Sequence, residues 1–152
     1  MNFILPQVNI IVTHDFITQR DEKSYGTQKR RDCEILEWYL EKEFGMVFSR
    51  SPYQYSSDLQ VKDHPIYIDV KHINGTWWNV KSKDKHIRAI DKDQLTHFLF
   101  YRTKQMIGNQ ADRPLEVGDV VTVDCVKMCP AKECVQELRR SQRDGWFLAA
   151  PV

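Results

Sequence analysis

The chain has 152 residues, a hydrophobic content of 41% and a formal net charge of +1. This length suits one domain with a core of its own, and the hydrophobic content is typical of a folded globular protein. The near-neutral charge excludes binding to nucleic acid through overall basicity, so any nucleic-acid surface must come from local clusters of cations.

The N-terminal segment, residues 1–26, begins with an apolar stretch that Pro6, Gln7 and Asn9 interrupt. It has neither the basic start nor the small-residue cleavage site of a signal peptide, and its apolar run is too short to span a membrane. We therefore expect an arm or strand and no membrane association. Such an arm either packs on its own domain or adds to the sheet of a partner subunit.

A helix is predicted over residues 27–44. Thr27 is a residue type that caps helix N-termini, and Gly45 is a residue type that commonly follows helix ends. Apolar side chains recur at helical spacing and predict a face that packs on the core. They are Ile35, Leu36, Tyr39, Leu40 and Phe44. Residues 46–48 then predict the first strand of a sheet.

Two segments of alternating polarity, residues 58–62 and 66–71, predict a β-hairpin. The turn between them contains Pro65, a residue type that favours turns. A two-residue loop pairs Gln60 with Tyr67 across the hairpin. A longer loop moves the partners to diagonal positions, which still lie within reach of one metal ion.

The paired register brings three charged side chains to one small surface. Asp58 lies opposite Asp69, with Cβ atoms ~5 Å apart. Lys71 shares the face of Asp69, because side chains alternate along a strand. Val70 and the isoleucines beside it point the other way, into the core. Two carboxylates and one ammonium group are therefore predicted at one place.

This set of charges suits phosphodiester hydrolysis. Two adjacent carboxylates repel each other unless a cation lies between them, and Mg²⁺ prefers oxygen ligands. A metal ion held there polarises a phosphoryl oxygen, and Lys71 neutralises developing charge or orients the attacking water. The alternative is ordinary: Asp-x-Lys also occurs on solvated strand faces, where it forms a weak salt bridge.

The remainder of the chain alternates helices and strands, which predicts a mixed α/β domain around a central sheet. The predicted elements are a helix over residues 84–95, a strand over 97–101, a polar loop over 103–118, a strand over 120–126, a helix from 130 to about 143 and a strand over 146–149.

The element order resembles that of the PD-(D/E)XK nuclease superfamily, which has the restriction-endonuclease-like fold. The resemblance covers residues 27–102: a helix with Glu34, a strand, a strand with Asp58, and a strand with Asp69-Val70-Lys71, followed by a helix and a strand. Ser57 stands where the name of the motif has proline. The spacing is particularly similar to that of phage and archaeal Holliday-junction-resolving nucleases.

The resemblance implies a role for each residue of the motif. Asp58 and Asp69 would bind Mg²⁺, for which Mn²⁺ can substitute, and the carbonyl of Val70 would complete the shell. Lys71 would be the catalytic lysine, and Glu34 the helix carboxylate. The fold implied is a single nuclease domain, residues 1–152, with a mixed central sheet flanked by helices and a catalytic core at residues 27–102.

The activity implied is that of a Mg²⁺-dependent DNA endonuclease, and we expect the sequence-specific homing or restriction type. A Holliday-junction-resolving endonuclease and a non-catalytic nucleic-acid-binding module are the alternatives. The partner is double-stranded or branched DNA in the cytoplasm of a bacterial or phage-infected host cell. Cutting two strands needs two active sites, so a homodimer or higher oligomer is expected.

Cations and aromatic residues near the motif predict a DNA-binding surface, because cations contact phosphates and exposed aromatic rings stack on bases. The alternative is that the tryptophans close the core and the lysines are ordinary solvent charges. The residues concerned are Lys29, Arg30, Arg31, Trp77, Trp78, Lys81, Lys83, Lys85 and Arg88. Arg139, Arg140 and Arg143 add a basic edge on the predicted C-terminal helix.

Three cysteines near the C-terminus, Cys125, Cys129 and Cys134, raise the question of a zinc site. Their spacing differs from a paired C-x2-C signature, and His97 would have to supply the fourth ligand. Buried free thiols are the better interpretation. At this chain length the cysteines, Cys33 included, predict no disulfide framework.

Overall fold

The structure is a computed structural model that describes residues 7–73, 77–80, 82–140 and 146–149. The strands are β1 (Val8–Ile11), β2 (Phe48–Arg50), β3 (Leu59–Val61), β4 (Tyr67–His72), β5 (Trp77–Val80), β6 (His97–Thr103), β7 (Val120–Pro130), β8 (Arg139–Arg140) and β9 (Trp146–Ala149). The helices are α1 (His14–Asp21), α2 (Gln28–Arg31), α3 (Ile35–Glu43), α4 (Lys83–Asp91) and α5 (Ala131–Gln136).

Most strands belong to a six-stranded mixed sheet with the order β1-β7-β6-β4-β3-β2. The neighbours β4 and β6 are parallel, and the other neighbours are antiparallel. A parallel pair needs a crossover, and α4 lies in the one that joins β4 to β6. The remaining strands form a three-stranded sheet with the order β5-β9-β8.

An apolar core lies on each face of the six-stranded sheet. Leu36 of α3 packs in one core with Ile68 and Leu99. Phe98, which precedes Leu99 in β6, packs in the other core with Trp78. Neighbouring residues of one strand enter different cores because side chains alternate across a sheet. The prediction of a mixed α/β chain with a mixed sheet flanked by helices is confirmed.

The helical region before β2 is close to the prediction. Thr27 caps α2, since its hydroxyl accepts a hydrogen bond of 3.2 Å from the amide of Arg30. A 3₁₀ turn, Asp32–Glu34, joins α2 to α3, so the predicted single helix is interrupted. The segment that follows forms a strand later than predicted, at Phe48–Arg50 instead of residues 46–48.

The hairpin of β3 and β4 has the predicted register, in which Gln60 pairs with Tyr67. The prediction of a two-residue loop is wrong: the amide of Val61 bonds the carbonyl of Ile66 at 3.0 Å, and the loop spans residues 62–65. The longer loop leaves the register unchanged, because the pairing of the two strands stops at Val61 and Ile66 without a shift. Asp63 adopts a left-handed φ of 65°, which aspartate tolerates better than most residues.

Two further elements differ from the predictions. Helix α1 was not predicted, because Phe16 and Ile17 give only a weak apolar pattern; the hydroxyl of Thr13 caps it. The C-terminal helix ends at Gln136 instead of about residue 143. Arg139 and Arg140 lie in β8, whose backbone pairs with β9.

The N-terminal strand β1 pairs with β7 of the same chain, so this part of the arm packs on its own domain. The first six residues and Arg143 lie outside the described part of the chain. The side chain of Arg140 also lies outside it. Among the described residues, no helix combines the length and apolar character needed to cross a membrane.

Candidate metal centre

Asp58, Asp69 and Lys71 meet where β3 begins. The amide of Asp58 donates to the carbonyl of Ile68 at 2.8 Å, and its carboxylate accepts a hydrogen bond of 2.8 Å from the amide of Val70. The carboxyl group of Asp69, which is only 8% exposed, lies close enough to that of Asp58 for the two to interact. Lys71 Nζ lies 3.2 Å from Asp69 Oδ2. The three predicted side chains therefore form one cluster.

The carbonyl of Val70 lies on the same edge as this cluster. In a strand the N–H and C=O groups of one residue point to the same side. The Val70 amide bonds the Asp58 carboxylate, so the Val70 carbonyl faces the edge that β3 leaves open beyond Leu59. A backbone oxygen is therefore available beside the two carboxylates.

The electrostatics of the cluster fit a hard divalent cation. Burial raises the pKa of Asp58 well above its ordinary value, and the carboxylates of Glu37 and Asp69 add to the shift. Burial, followed by the charges of Glu34 and Asp69, raises the pKa of Glu37 to about 7. The neighbouring carboxylate charges add to the effect of burial at both groups. Oxygen ligands with excess negative charge are the donor set that Mg²⁺ prefers.

The cluster is sparse in protein ligands. Within the described ranges no three His, Cys, Asp or Glu side chains are arranged as a metal site. Two carboxylates and a carbonyl suit Mg²⁺ better than a transition metal, because Mg²⁺ usually keeps several water ligands and takes only one or two protein carboxylates.

Glu34 has hydrogen-bond partners of its own. Its carboxylate accepts hydrogen bonds from the ammonium group of Lys23 and from the hydroxyl of Tyr25. Glu37, one turn later, is the helix carboxylate that interacts electrostatically with Asp58 and Asp69. Sequence reasoning did not single out Glu37. Glu34 and Glu37 lie on one flank of the helix, so their spacing alone does not show which of them interacts with Asp58 and Asp69.

A cleft with a volume of about 130 Å³ opens at the cluster. The loop before β3 forms one wall, and α4 forms the other with Lys85, His86 and Ala89. The His86 ring packs at 5.7 Å from Trp78 and 5.3 Å from Phe98. Its burial lowers the pKa of His86 to about 4, so this wall contributes a neutral imidazole at physiological pH. Sequence reasoning did not single out the cleft loop, although its Ser-Pro-Tyr-Gln-Tyr-Ser-Ser sequence has the composition of a turn directly before Asp58.

Two of the predicted DNA-binding residues are used inside the fold. Arg31 is 7% exposed, and its guanidinium donates to the carbonyls of Thr27, Arg20 and Lys23. Trp78 is 6% exposed and packs against phenylalanine rings of β6. For Trp78 the alternative interpretation, that it closes the core, holds.

The other predicted DNA-binding residues differ in their surroundings. Lys29 donates to the carbonyl of Ala111 at 3.1 Å, and Lys83 is half-buried on α4. Arg30, Lys85 and Arg88 are exposed. Lys81 and the side chain of Trp77 lie outside the described part of the chain. Of the predicted cations that the structure describes, Lys85 lines the cleft together with Lys71.

Of the three cysteines considered for a zinc site, Cys129 and Cys134 have described side chains. Cys129 and Cys134 are buried free thiols that hydrogen-bond each other. The ring of His97 bonds the hydroxyl of Thr96 at 2.8 Å. The side chain of Cys125 lies outside the description. The interpretation as buried free thiols is confirmed for Cys129 and Cys134.

Comparison with known proteins identifies no relative: no protein-family model, no curated protein and no solved structure matches this chain. Any assignment of function therefore depends on the geometry of the cluster and the cleft.

Proposed function

We propose that the protein is a Mg²⁺-dependent endonuclease that hydrolyses phosphodiester bonds of DNA. The observation that carries the proposal is the contact between the carboxyl groups of Asp58 and Asp69, with Lys71 Nζ 3.2 Å from Asp69, in a cleft open to solvent. Paired carboxylates beside an ammonium group supply ligands for a cation and a positive charge for a phosphate.

The arrangement of the strands supports the restriction-endonuclease-like fold as part of this proposal. Helix α3 precedes three antiparallel strands, β2, β3 and β4, and α4 then leads into β6, which lies parallel to β4. This is the element order of the resemblance described above. It places the paired carboxylates at the start of one strand and in the middle of the next.

The residues have distinct roles in the proposed reaction. Asp58, Asp69 and the Val70 carbonyl would hold Mg²⁺, which supplies polarisation of a phosphoryl oxygen and a lowered pKa for bound water. The Val70 amide orients the Asp58 carboxylate. Lys71 stabilises negative charge that develops on the phosphate. We assign the helix-carboxylate role to Glu37, because its charge interacts with those of Asp58 and Asp69, whereas Glu34 is bonded to Lys23 and Tyr25.

A homo-oligomer working on double-stranded or branched DNA is part of the proposal, since each chain supplies one such cluster. An oligomer places two clusters on two strands, whereas a monomer makes nicks. Sedimentation at the concentration used for cleavage distinguishes these states.

The test is incubation of the purified protein with labelled duplex DNA and with a labelled four-way junction, in Mg²⁺ and in EDTA. We expect cleavage in Mg²⁺ only, and its loss in Asp69→Asn. The matched control is Asp63→Asn, since Asp63 is an exposed aspartate of the neighbouring turn whose left-handed φ asparagine also tolerates.

The substrate that is cut distinguishes the possible types of endonuclease. Cutting at one duplex sequence indicates the homing or restriction type, and cutting of the junction alone indicates a resolving nuclease. Binding without cleavage, with equal affinity in Mg²⁺ and EDTA, would contradict the proposal and favour a non-catalytic nucleic-acid-binding module.

A further inference from the structure

Tyr55 is an exposed aromatic residue that lines the same cleft as Asp58 and Asp69. Its side chain is 94% exposed. A tyrosine with this exposure makes few contacts within its own chain that would account for its position. Its place beside the paired carboxylates puts an aromatic face at the point where a nucleic-acid strand would enter.

The loop that carries Tyr55 is fixed at its base. The buried hydroxyls of Ser51 and Ser57 hydrogen-bond each other at 2.6 Å, and the amide of Ser57 donates to the carbonyl of Tyr53 at 2.9 Å. The amide of Ser51 donates to the carbonyl of Asp58 at 3.0 Å. These bonds anchor the backbone of the loop that carries Tyr55 next to Asp58.

A second anchor connects the loop to the opposite wall of the cleft. Ser56 Oγ donates to Gln94 Oε1 at 2.9 Å, and the backbone of Gln94 is bonded to Ala89 of α4. The ring of Tyr53 packs edge-on against Tyr67 of β4, with centroids 5.0 Å apart. The loop on either side of Tyr55 is therefore anchored to β4 and, through Gln94, to α4.

Cations that line the cleft are the groups that can contact DNA phosphates there. The chain carries a net charge of +1, and Arg31 is already bonded to backbone carbonyls. Among the described residues, the cations that line the cleft are Lys71 and Lys85. Stacking on an aromatic ring is an attraction that does not depend on phosphate neutralisation, and every base has a face for it.

We propose that Tyr55 stacks on an unpaired base next to the phosphate held at Asp58 and Asp69, so that the site selects DNA with unpaired nucleotides over intact duplex. Bases of an intact duplex stack on each other and offer no free face, whereas loops, bulges and branch points do. This inference depends on the proposed function, because it places the cut beside the stacked base.

The test measures binding in Ca²⁺, which takes the same kinds of oxygen ligands as Mg²⁺. The probes are a fluorescein-labelled duplex and the same duplex with an internal unpaired loop. Wild type should bind the looped DNA at least about fivefold more tightly than the duplex, and Tyr55→Ala should lose at least about fivefold on the looped DNA only. Tyr55→Phe keeps the ring and should retain the preference. Met46→Ala, at a side chain 92% exposed outside the cleft lining, is the control.

A spectroscopic measurement reports stacking itself. A 2-aminopurine in the unpaired loop should be quenched by wild type and by Tyr55→Phe, and not by Tyr55→Ala. Salt titration separates the two kinds of contact: Lys85→Ala should lower the slope of affinity against salt by about one, and Tyr55→Ala should leave it unchanged.

The outcomes separate this inference from the proposed function. If wild type cuts DNA in Mg²⁺ and Asp69→Asn does not, equal binding of both probes by wild type and Tyr55→Ala would overturn the inference alone. Quenching that depends on Tyr55, without cleavage of either probe, would overturn the proposed function and support the stacking contact. Absence of binding to both probes would overturn both.

Discussion

The backbone amide of Val70 donates a hydrogen bond of 2.8 Å to the carboxylate of Asp58, the residue directly before β3. The ladder between β3 and β4 ends at Leu59, so the next free amide of β4 bonds a side chain in place of a backbone carbonyl. This bond fixes the Asp58 carboxylate against that of Asp69. The end of a strand thus determines the geometry of the proposed metal centre.

Lys71→Ala should abolish DNA cleavage while leaving the fold intact. Lys71 Nζ lies 3.2 Å from Asp69 and is the ammonium group placed to stabilise charge on a phosphate at the cluster. Loss of a comparable electrostatic contact lowers kcat by about 10²–10³. Single-turnover cleavage in Mg²⁺ measures the rate, and thermal unfolding reports the fold.

The control for this variant is Lys62→Ala, since Lys62 is an exposed lysine of the same hairpin whose ammonium group bonds the Gly45 carbonyl at 3.2 Å. It should cut DNA at the wild-type rate. Full activity in Lys71→Ala would refute the proposed role of the lysine.

Glu37 should make the metal-free protein less stable as the pH rises. Its pKa is raised from 4.5 to about 7, first by burial and then by Glu34 and Asp69. The folded state therefore holds a proton that the unfolded state releases. The stability that this proton confers is complete below pH 4.5 and is lost as the pH rises through 7. Urea unfolding in EDTA across this range measures the effect.

Glu37→Gln should remove this part of the pH dependence and stabilise the metal-free protein at pH 8 by about 1–3 kcal/mol. Mg²⁺ should reduce the difference between the two proteins, since a bound cation replaces the missing proton. An unfolding free energy that changes identically with pH in wild type and Glu37→Gln would argue against the position assigned to Glu37.

Asp32→Ala should destabilise the fold by about 3–5 kcal/mol, the usual cost of leaving one partner of a buried ion pair alone. Asp32 is fully buried and accepts hydrogen bonds from Arg20 Nη1 at 2.7 Å and from the amide of Leu115 at 2.8 Å. It therefore joins α1 and the loop before β7 to the 3₁₀ turn that precedes α3. Chemical denaturation measures the loss.

The double variant Arg20→Met with Asp32→Leu tests the cause of this loss. Because it removes both charges together, it should recover much of the stability that Asp32→Ala loses. A double variant as unstable as the sum of the single variants would show that the ion pair itself is required.

The hairpin could be predicted from sequence because alternation with a period of two is a local signal, and it fixed the pairing of Gln60 with Tyr67. Glu37 could not be identified in the same way. A 3₁₀ turn at Asp32–Glu34 changes the phase of the helix before α3, since it has fewer residues per turn than an α-helix. Glu34 is bonded by Lys23 and Tyr25. Both of these residues come from a loop whose path the sequence does not specify.

The burial of Arg31 and Trp78 likewise could not be predicted from the local sequence. Arg31 lies in a basic run that is typical of a DNA-binding surface, yet its guanidinium bonds carbonyls from α1 and the following loop. Trp78 is buried because β5 and α4 cover the second core. Both outcomes depend on tertiary contacts between segments, which composition and spacing do not report.

Exchange of a metal ligand tests the proposed centre most directly. Asp69→Cys replaces a hard oxygen ligand by a softer thiolate, which favours softer ions over Mg²⁺. We predict that this variant does not cut DNA in Mg²⁺ and regains cutting in Mn²⁺, while Asp69→Ala, which offers no ligand, is inactive in both. Cleavage in Mg²⁺ by Asp69→Ala at the wild-type rate would contradict the account.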